Sequence, residues 1–248
     1  MKMLVISDIH ANVDSLNAVW EKESDADVIL CAGDVTDWGF HPHETIAWLR
    51  EHNAICVHGN HDLHIVRLYD SGRREGLGKE TNYSSWCVNH MTDEDADWLR
   101  ALPETQHVTV DGIAYCMRHA VDVCEDENTI RDYLGKYIAV PMFDQLWSKF
   151  GGSREVELHR LVLGHSHNCY TLQAKWNEMY LNPGSLHYRL GGNAGTHGAD
   201  YITIVDGAVT LKHVDYPTAH LRALLETTNF PEDIKRPARV YAGSEVDG

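Results

Sequence analysis

The sequence predicts an α/β fold, a four-layer α/β/β/α sandwich in which two mixed sheets pack face to face between outer helices. Three observations lead there. Short apolar runs alternate with helical periodicity through the first quarter of the chain, the pattern of parallel strands joined by helical crossovers. Strand-like runs return after residue 160 and crowd toward the C-terminus. The 248 residues, 43% of them hydrophobic, suffice for one large domain or two small ones.

Residues 3–7 form a continuous apolar run, as expected of a strand buried on both faces. Residues 12–23 place Val13, Leu16, Val19 and Trp20 at helical spacing. Residues 28–32 read as the second strand, 42–52 as a helix with Pro42 in its first turn, and 54–57 as the third strand. In a sheet wound this way, ligands collect beyond the C-terminal strand ends. Asp8, Asp34 and Asn60 stand just past these three.

Residues 63–103 read as an insertion, in which Thr92 caps a helix over 94–102 that stops before Pro103. Residues 106–110 and 112–117 flank Asp111-Gly112 as a hairpin. A second insertion covers 121–157, with helical pieces at 125–134 and 141–150. Strands at 161–163, 169–175, 179–181, 201–205 and 208–214 are expected to make a second, mostly antiparallel sheet. Residues 217–227 read as a terminal helix with Leu221, Leu224 and Leu225 as its stripe, and 230–248 as a polar, partly disordered tail. The expected organisation is a main domain over 1–216, with both insertions as caps, followed by a helix and tail over 217–248.

Lys+Arg number 21 against Asp+Glu 37, a net charge of -16. Such a surface repels nucleic acid and anionic membranes at long range, which argues against a DNA nuclease. A small anionic substrate remains compatible, because bound metal would attract it locally. No apolar run approaches the roughly 18 residues of a membrane span, and nothing at the start reads as a signal peptide. The six cysteines are scattered, and Cys31 and Cys56 lie inside strand-like runs as small hydrophobes. A reduced, cytoplasmic protein is expected.

Five blocks carry the chemistry: Asp8-Ile9-His10, Gly33-Asp34, Gly59-Asn60-His61-Asp62, Arg118-His119-Ala120 and Gly164-His165-Ser166-His167. Singly they are ordinary; Asp-x-His often ends a strand and Gly-Asp often makes a turn. Together they supply what a two-metal centre needs. Oxygen and nitrogen ligands come from different strands, and one carboxylate can bridge metals about 3.5–4 Å apart, a geometry suited to in-line attack on phosphorus. The candidate ligands are Asp8, His10, Asp34, Asn60, His119, His165 and His167. The glycines before Asp34, Asn60 and His165 are expected to allow sharp turns from strand to ligand. Imidazole, carboxylate and amide ligands without thiolate suit Mn, Fe, Zn or Ni, and suit Mg²⁺ less.

In this order, D-x-H, G-D-x-x-D, G-N-H-D, a later lone His and G-H-x-H resemble the calcineurin-like metallophosphoesterases, over residues 1 to about 214. Asn182-Pro183-Gly184-Ser185 is similar to the small prokaryotic phosphodiesterase branch. The Trp98-Leu99 insertion and the helical tail resemble longer members related to diadenosine tetraphosphatases. The resemblance implies that Asp8, His10 and His167 hold one metal, that Asn60, His119 and His165 hold another, and that Asp34 bridges. Manganese or iron are the metals it implies. His61 matches the family's non-ligand histidine, which stabilises the transition state or protonates the leaving oxygen. Asp37 completes G-D-x-x-D and would orient His61 and raise its pKa.

Two departures stand out. Ala120 follows His119 where relatives usually carry glycine, which makes that turn less permissive. Trp38 stands where protein serine/threonine phosphatases carry a phosphate-gripping arginine, and G-N-H-D replaces their G-N-H-E, so protein phosphatase activity is not expected. The expected reaction is hydrolysis of phosphodiester or nucleotide-type esters by in-line attack of a hydroxide shared between the metals. A dinucleoside polyphosphate hydrolase and a non-catalytic metal-binding scaffold are the rivals; His61 and Asp37 argue against the scaffold.

Arg189, which stands where relatives often carry an arginine, and His187 and His197 on the same loops are candidates to line the substrate pocket. His41, His43, His52, His90, His107, His159, His213 and His220 are expected on the surface, and Arg67, Arg73 and Arg74 on a solvated helix face. The terminal helix could mediate a homodimer.

Overall fold

The computed structural model describes residues 1–71, 80–121, 139–187 and 198–235. The N-terminal run forms β1 (Lys2–Ile6), α1 (Val13–Glu23), β2 (Val28–Cys31), α2 (Pro42–Glu51) and a two-residue β3 (Ile55–Cys56). β1–β2 and β2–β3 pair in parallel, as the alternating pattern requires. Three helices follow: α3 (Asn60–Asp70), α4 (Tyr83–Asn89) and α5 (Asp93–Ala101). The hairpin β4 (Thr105–Val110) and β5 (Ile113–Arg118) leads to α6 (Ala139–Lys149), β6 (Leu158–Val162), β7 (Cys169–Lys175) and β8 (Glu178–Pro183). The chain returns through β9 (Gly198–Val205) and β10 (Ala208–Asp215) to α7 (Ala219–Thr227).

Two five-stranded sheets result, ordered β10-β9-β1-β2-β3 and β4-β5-β6-β8-β7. Between them lies an apolar layer that includes Met3, Val5, Leu30, Ile113, Met117, Val162 and Leu181. The alternate residues of the first sheet, Leu4, Ile6, Ile29 and Cys31, pack with Leu16, Val19, Ile46 and Leu49 of α1 and α2. On the far side, Cys116, Leu161 and Tyr180 pack with Phe143, Leu146 and Trp147 of α6. Both faces of each sheet are therefore covered in the expected four layers, which is why the central strands read as unbroken apolar runs.

Two expectations need correction. β9 and β10 belong to the first sheet: β9 pairs antiparallel with β1 from Lys2↔Val205 to Val5↔Ile202. The second sheet is then mixed rather than mostly antiparallel, because β6 runs parallel to both β5 and β8. The G-N-H-D block opens α3, with Asp62 in the first turn accepting the Gly59 N–H at 2.9 Å. Ile65 and Val66 of α3 are buried in the same cluster as Leu99 of α5. The helical piece expected at 125–134 falls outside the described residues; the one expected at 141–150 begins two residues earlier.

Leu30 is fully buried in the layer between the sheets. Leu30→Ala should lower the unfolding free energy by about 2–5 kcal/mol, read as a drop in urea midpoint at unchanged slope.

Candidate metal centre at the meeting of two sheets

Both sheets deliver ligands from the C-terminal ends of parallel strands. Asp8 follows β1, Asp34 follows β2 and Asn60 lies beyond β3; His119 follows β5 and His165 follows β6. The loops are tied to one another by backbone bonds: Asp8 N–H to Gly33 O at 2.9 Å, His10 N–H to Asp34 O at 3.0 Å, and Gly164 N–H to His119 O at 2.9 Å. Between the sheets, His165 N–H donates to Asp8 Oδ2 at 3.0 Å and Ser185 Oγ donates to Asp8 O at 2.9 Å.

The donors fall into two groups, Asp8 with His10 and His167, and Asp34 with His119 and His165; within each group the candidate ligand atoms lie within 4.8 Å of one another. Asp34 Oδ2 lies 3.1 Å from His119 Nε2 and 3.9 Å from His10 Nε2, so this one oxygen stands between the groups. His119 reaches the carboxylate although Ala120 replaces the usual glycine: Ala120 is not among the residues with positive φ, so the turn does not need one. Asn60 is exposed at the start of α3, and the adjacent His61 N–H donates to Asp34 Oδ1 at 2.9 Å.

Hydrogen bonds orient the imidazoles. His119 Nδ1 donates to Ala32 O at 2.7 Å and His10 Nδ1 to Thr36 O at 3.3 Å, which turns both Nε2 atoms inward. Burial holds His10 well below its usual pKa, hence neutral. His119 is the opposite case: burial works against its charge, but Asp34 outweighs burial and lifts the imidazole to about 10. Burial would raise Asp34, yet His119 and His10 hold it below the usual carboxylate range. His10 Nε2 also lies 3.2 Å from His167 Nε2, which in turn lies 3.1 Å from Asp8 Oδ1. With His10 donating through Nδ1, several lone pairs converge there, a donor set that calls for a cation.

The backbone is strained where the candidate ligands and Asp37 sit. Asp8, His10, Asp34, Asp37, His165 and His167 have φ of 52°, 51°, 51°, 68°, 68° and 54°. Each left-handed non-glycine residue costs about 1 kcal/mol or more, and such residues cluster at functional sites. The expected role of the preceding glycines changes accordingly. Gly33 does turn with φ +93°, but Gly59 and Gly164 serve close approach. A Cβ on Gly59 would lie 2.0 Å from Asp34 Oδ1, and one on Gly164 would lie 2.2 Å from Ser7 Oγ.

His61 stands at the rim of this set. Its Nδ1 donates to Asp37 Oδ2 at 2.9 Å, and Asp37 Oδ1 accepts from Trp38 N–H and from Ser84 Oγ of α4. Burial opposes a charge on His61, but Asp37, followed by Asp34, holds the imidazole above its ordinary value. Trp38 stacks on His10 at 4.8 Å and meets His61 edge-on at 4.5 Å. His187 is half-buried, 5.7 Å from the His10 ring; burial and then His167 press its pKa down to about 3. Arg189, His197, Arg73 and Arg74 lie outside the described residues.

Three supports were not legible as such. Asp62 accepts from Val35 N, Thr36 N, Thr36 Oγ1 and Gly59 N, binding the Asp34 loop to the Asn60 loop. Burial and the Asp34 charge raise it to about 6. Ser84 comes from a helix the sequence did not announce. Asn182 Nδ2 donates to Gly164 O at 2.8 Å and steadies the His165 loop. Elsewhere, His159 is buried beside Trp147 rather than exposed, and His41 is half-buried.

Nitrogen and oxygen donors in two groups around one carboxylate form a donor set that could hold two metal ions. The chain belongs to the calcineurin-like phosphoesterase family, which it matches over residues 1–192. It is 30% identical over 122 residues to an uncharacterised protein, MJ0912, of Methanocaldococcus jannaschii; the match spans 47% of this chain and about half of that relative (48%). A metallophosphoesterase from Sphaerobacter thermophilus shares the fold at TM-score 0.70 and 22% identity, over 98% of this chain and 100% of its own. The hypothetical protein PH1004 of Pyrococcus horikoshii does so at TM-score 0.73 and 14% identity, over 99% of each chain. Among the described residues no helix is long and apolar enough to cross a membrane.

Gly59→Ala should push the Asp34 carboxylate aside and reduce retained metal at least about tenfold while far-UV circular dichroism stays unchanged. Asp62→Ala strands four donors and should cost about 3 kcal/mol or more of stability, measured by denaturant unfolding.

Proposed function

We propose that this chain hydrolyses phosphodiester or nucleotide-type phosphate esters, using metals held by Asp8, His10 and His167 on one side and by Asn60, His119 and His165 on the other, with Asp34 shared. The supporting observation is the position of Asp34 Oδ2 between the two groups, 3.1 Å from His119 and 3.9 Å from His10. When bound, the metals supply the Lewis acidity that makes water a nucleophile near neutral pH and that offsets charge gathering at phosphorus. Manganese or iron is our choice, and zinc or nickel also fits the donors.

The protein's own groups do the rest. His61 is neither buried in a ligand group nor solvent-loose; Asp37 accepts from its Nδ1–H, which leaves Nε2 as the nitrogen available to a substrate. It protonates the departing oxygen or steadies the charge that forms there. Trp38 offers an aromatic wall beside the ligands, against which a nucleobase could lie. The overall charge of -16 favours a small substrate over a nucleic acid.

A dinucleoside polyphosphate hydrolase is the second reading. A structure described as that of a candidate diadenosine tetraphosphatase shares the fold at TM-score 0.54 and 16% identity, over 86% of this chain and 93% of its own. The Trp38 wall suits a nucleoside in either case. We place the enzyme in the cytoplasm, in keeping with free cysteines at Cys31, Cys56, Cys87 and Cys116 in the core.

Manganese-loaded protein should turn over bis-aryl phosphate diesters or nucleotide esters. Turnover of dinucleoside polyphosphates alone would select the second reading, and no turnover of any ester would leave a metal-binding scaffold. His61→Ala should keep its metal and lose about 10²–10⁴ in kcat, whereas Asn60→Ala should lose metal; equal metal loss in both would sink this division of roles. Metal loading should also tighten with rising pH. His119, raised to about 10 beside Asp34, carries a proton that metal must displace, so affinity should grow by up to about tenfold per pH unit for each proton released.

A further inference from the structure

Away from this centre, a second kind of donor cluster joins three elements. Asp14 lies in the first turn of α1, His41 caps the N-terminus of α2 and His220 lies in the first turn of α7. One atom from each lies within 4.8 Å of the others. His220 Nδ1 comes to 3.2 Å from Asp14 Oδ2, and the His41 and His220 rings stack at 5.2 Å with 27° between their planes.

Two of the donor residues carry buried atoms with nothing to bind. Asp14 Oδ2 and His41 Nδ1 are shielded from solvent and neither has a hydrogen-bond partner; the approach of His220 lacks hydrogen-bond geometry. Buried polar atoms are nearly always satisfied, so an unsatisfied carboxylate oxygen and an unsatisfied imidazole nitrogen on residues of one cluster need an explanation. Burial keeps His41 below its usual pKa, in the neutral form that ligates. His220, by contrast, is half exposed, which leaves the cluster open to solvent on one side.

We propose that Asp14, His41 and His220 form a separate, structural site for a zinc-class divalent cation. Two imidazoles and one carboxylate are a tetrahedral zinc donor set with a fourth position for water. The cation would staple α7 to α1 and α2. The neighbouring contacts follow the same line: Phe40, next to His41, stacks on Phe230 at 6.3 Å and shares a cluster with Leu225 of α7. The His41 N–H is bonded to Ala11 O at 2.9 Å, just beyond His10. Bound metal would thus fasten the C-terminal helix to the loop that carries Asp37 and Trp38.

The test uses the full chain, stripped by chelator and reloaded with zinc alone, with bound metal counted after gel filtration. Wild type should retain one equivalent more than His220→Ala, whose side chain is exposed enough to be removed without a packing loss. Asp14→Asn, which preserves shape, should show the same deficit. Zinc should raise the thermal midpoint less in both variants than in wild type, while their manganese-supported esterase activity persists. Because only the difference is read, the result does not depend on how many ions the catalytic centre holds. Equal zinc content in wild type and both variants would overturn the proposal, as would a deficit accompanied by loss of esterase activity.

Discussion

Buried negative charge at one end of two sheets is the constraint on which the rest of the structure depends. Asp8, Asp34 and Asp62 are almost wholly shielded from water and belong to the same set of loops. Among the described contacts they are met by imidazoles, a hydroxyl and backbone N–H groups, not by lysine or arginine. Leaving carboxylates unpaired in such a place is costly. The fold answers in two ways. Asp62 is compensated by four donors, which offset part of the rise to about 6 that burial and the Asp34 charge impose. Asp8 and Asp34 are set among histidines, an arrangement able to hold metal ions.

That arrangement explains the irregular backbone around it. A strand running straight on would carry its side chain past the cleft; a single left-handed residue turns it back. Six such residues at the site are supported by bonds between neighbouring loops, by Ser185 and Asn182 from the β8 turn, and by Ser84 from α4. The strain is local and its supports come from both sheets and from α4, so the stability of the site and that of the sandwich are not separable quantities.

Much of this was legible in the sequence, for a physical reason. Ligand chemistry is concentrated in a few residue types, and the strands before them announce themselves as apolar runs, so Asp8, His10, Asp34, His119, His165 and His167 could be singled out and prove to be neighbours. The pairing of His61 with Asp37 was legible too. Sheet membership was not: β9 and β10 alternate like any hairpin, and nothing in their residues says that they pair with β1 rather than β8. Nor was the true use of Gly59 and Gly164, because glycine chosen for space and glycine chosen for φ look the same in one dimension. Asp62 was hidden by its neighbours, since a residue that serves by accepting backbone bonds has no spacing of its own.

The pairing of β9 with β1 has a consequence for the history of each molecule. β1 is flanked on one side by β2, close in the chain, but its other edge waits for a strand that ends at Val205. His10 likewise waits for His167, 157 residues on. On the ribosome, then, this sheet emerges with an open edge and with uncompensated carboxylates at its tip, and these close only once β9 and the His167 loop have been synthesised. Carboxylates at that tip carry like charge, so the open edges of neighbouring nascent chains repel one another there.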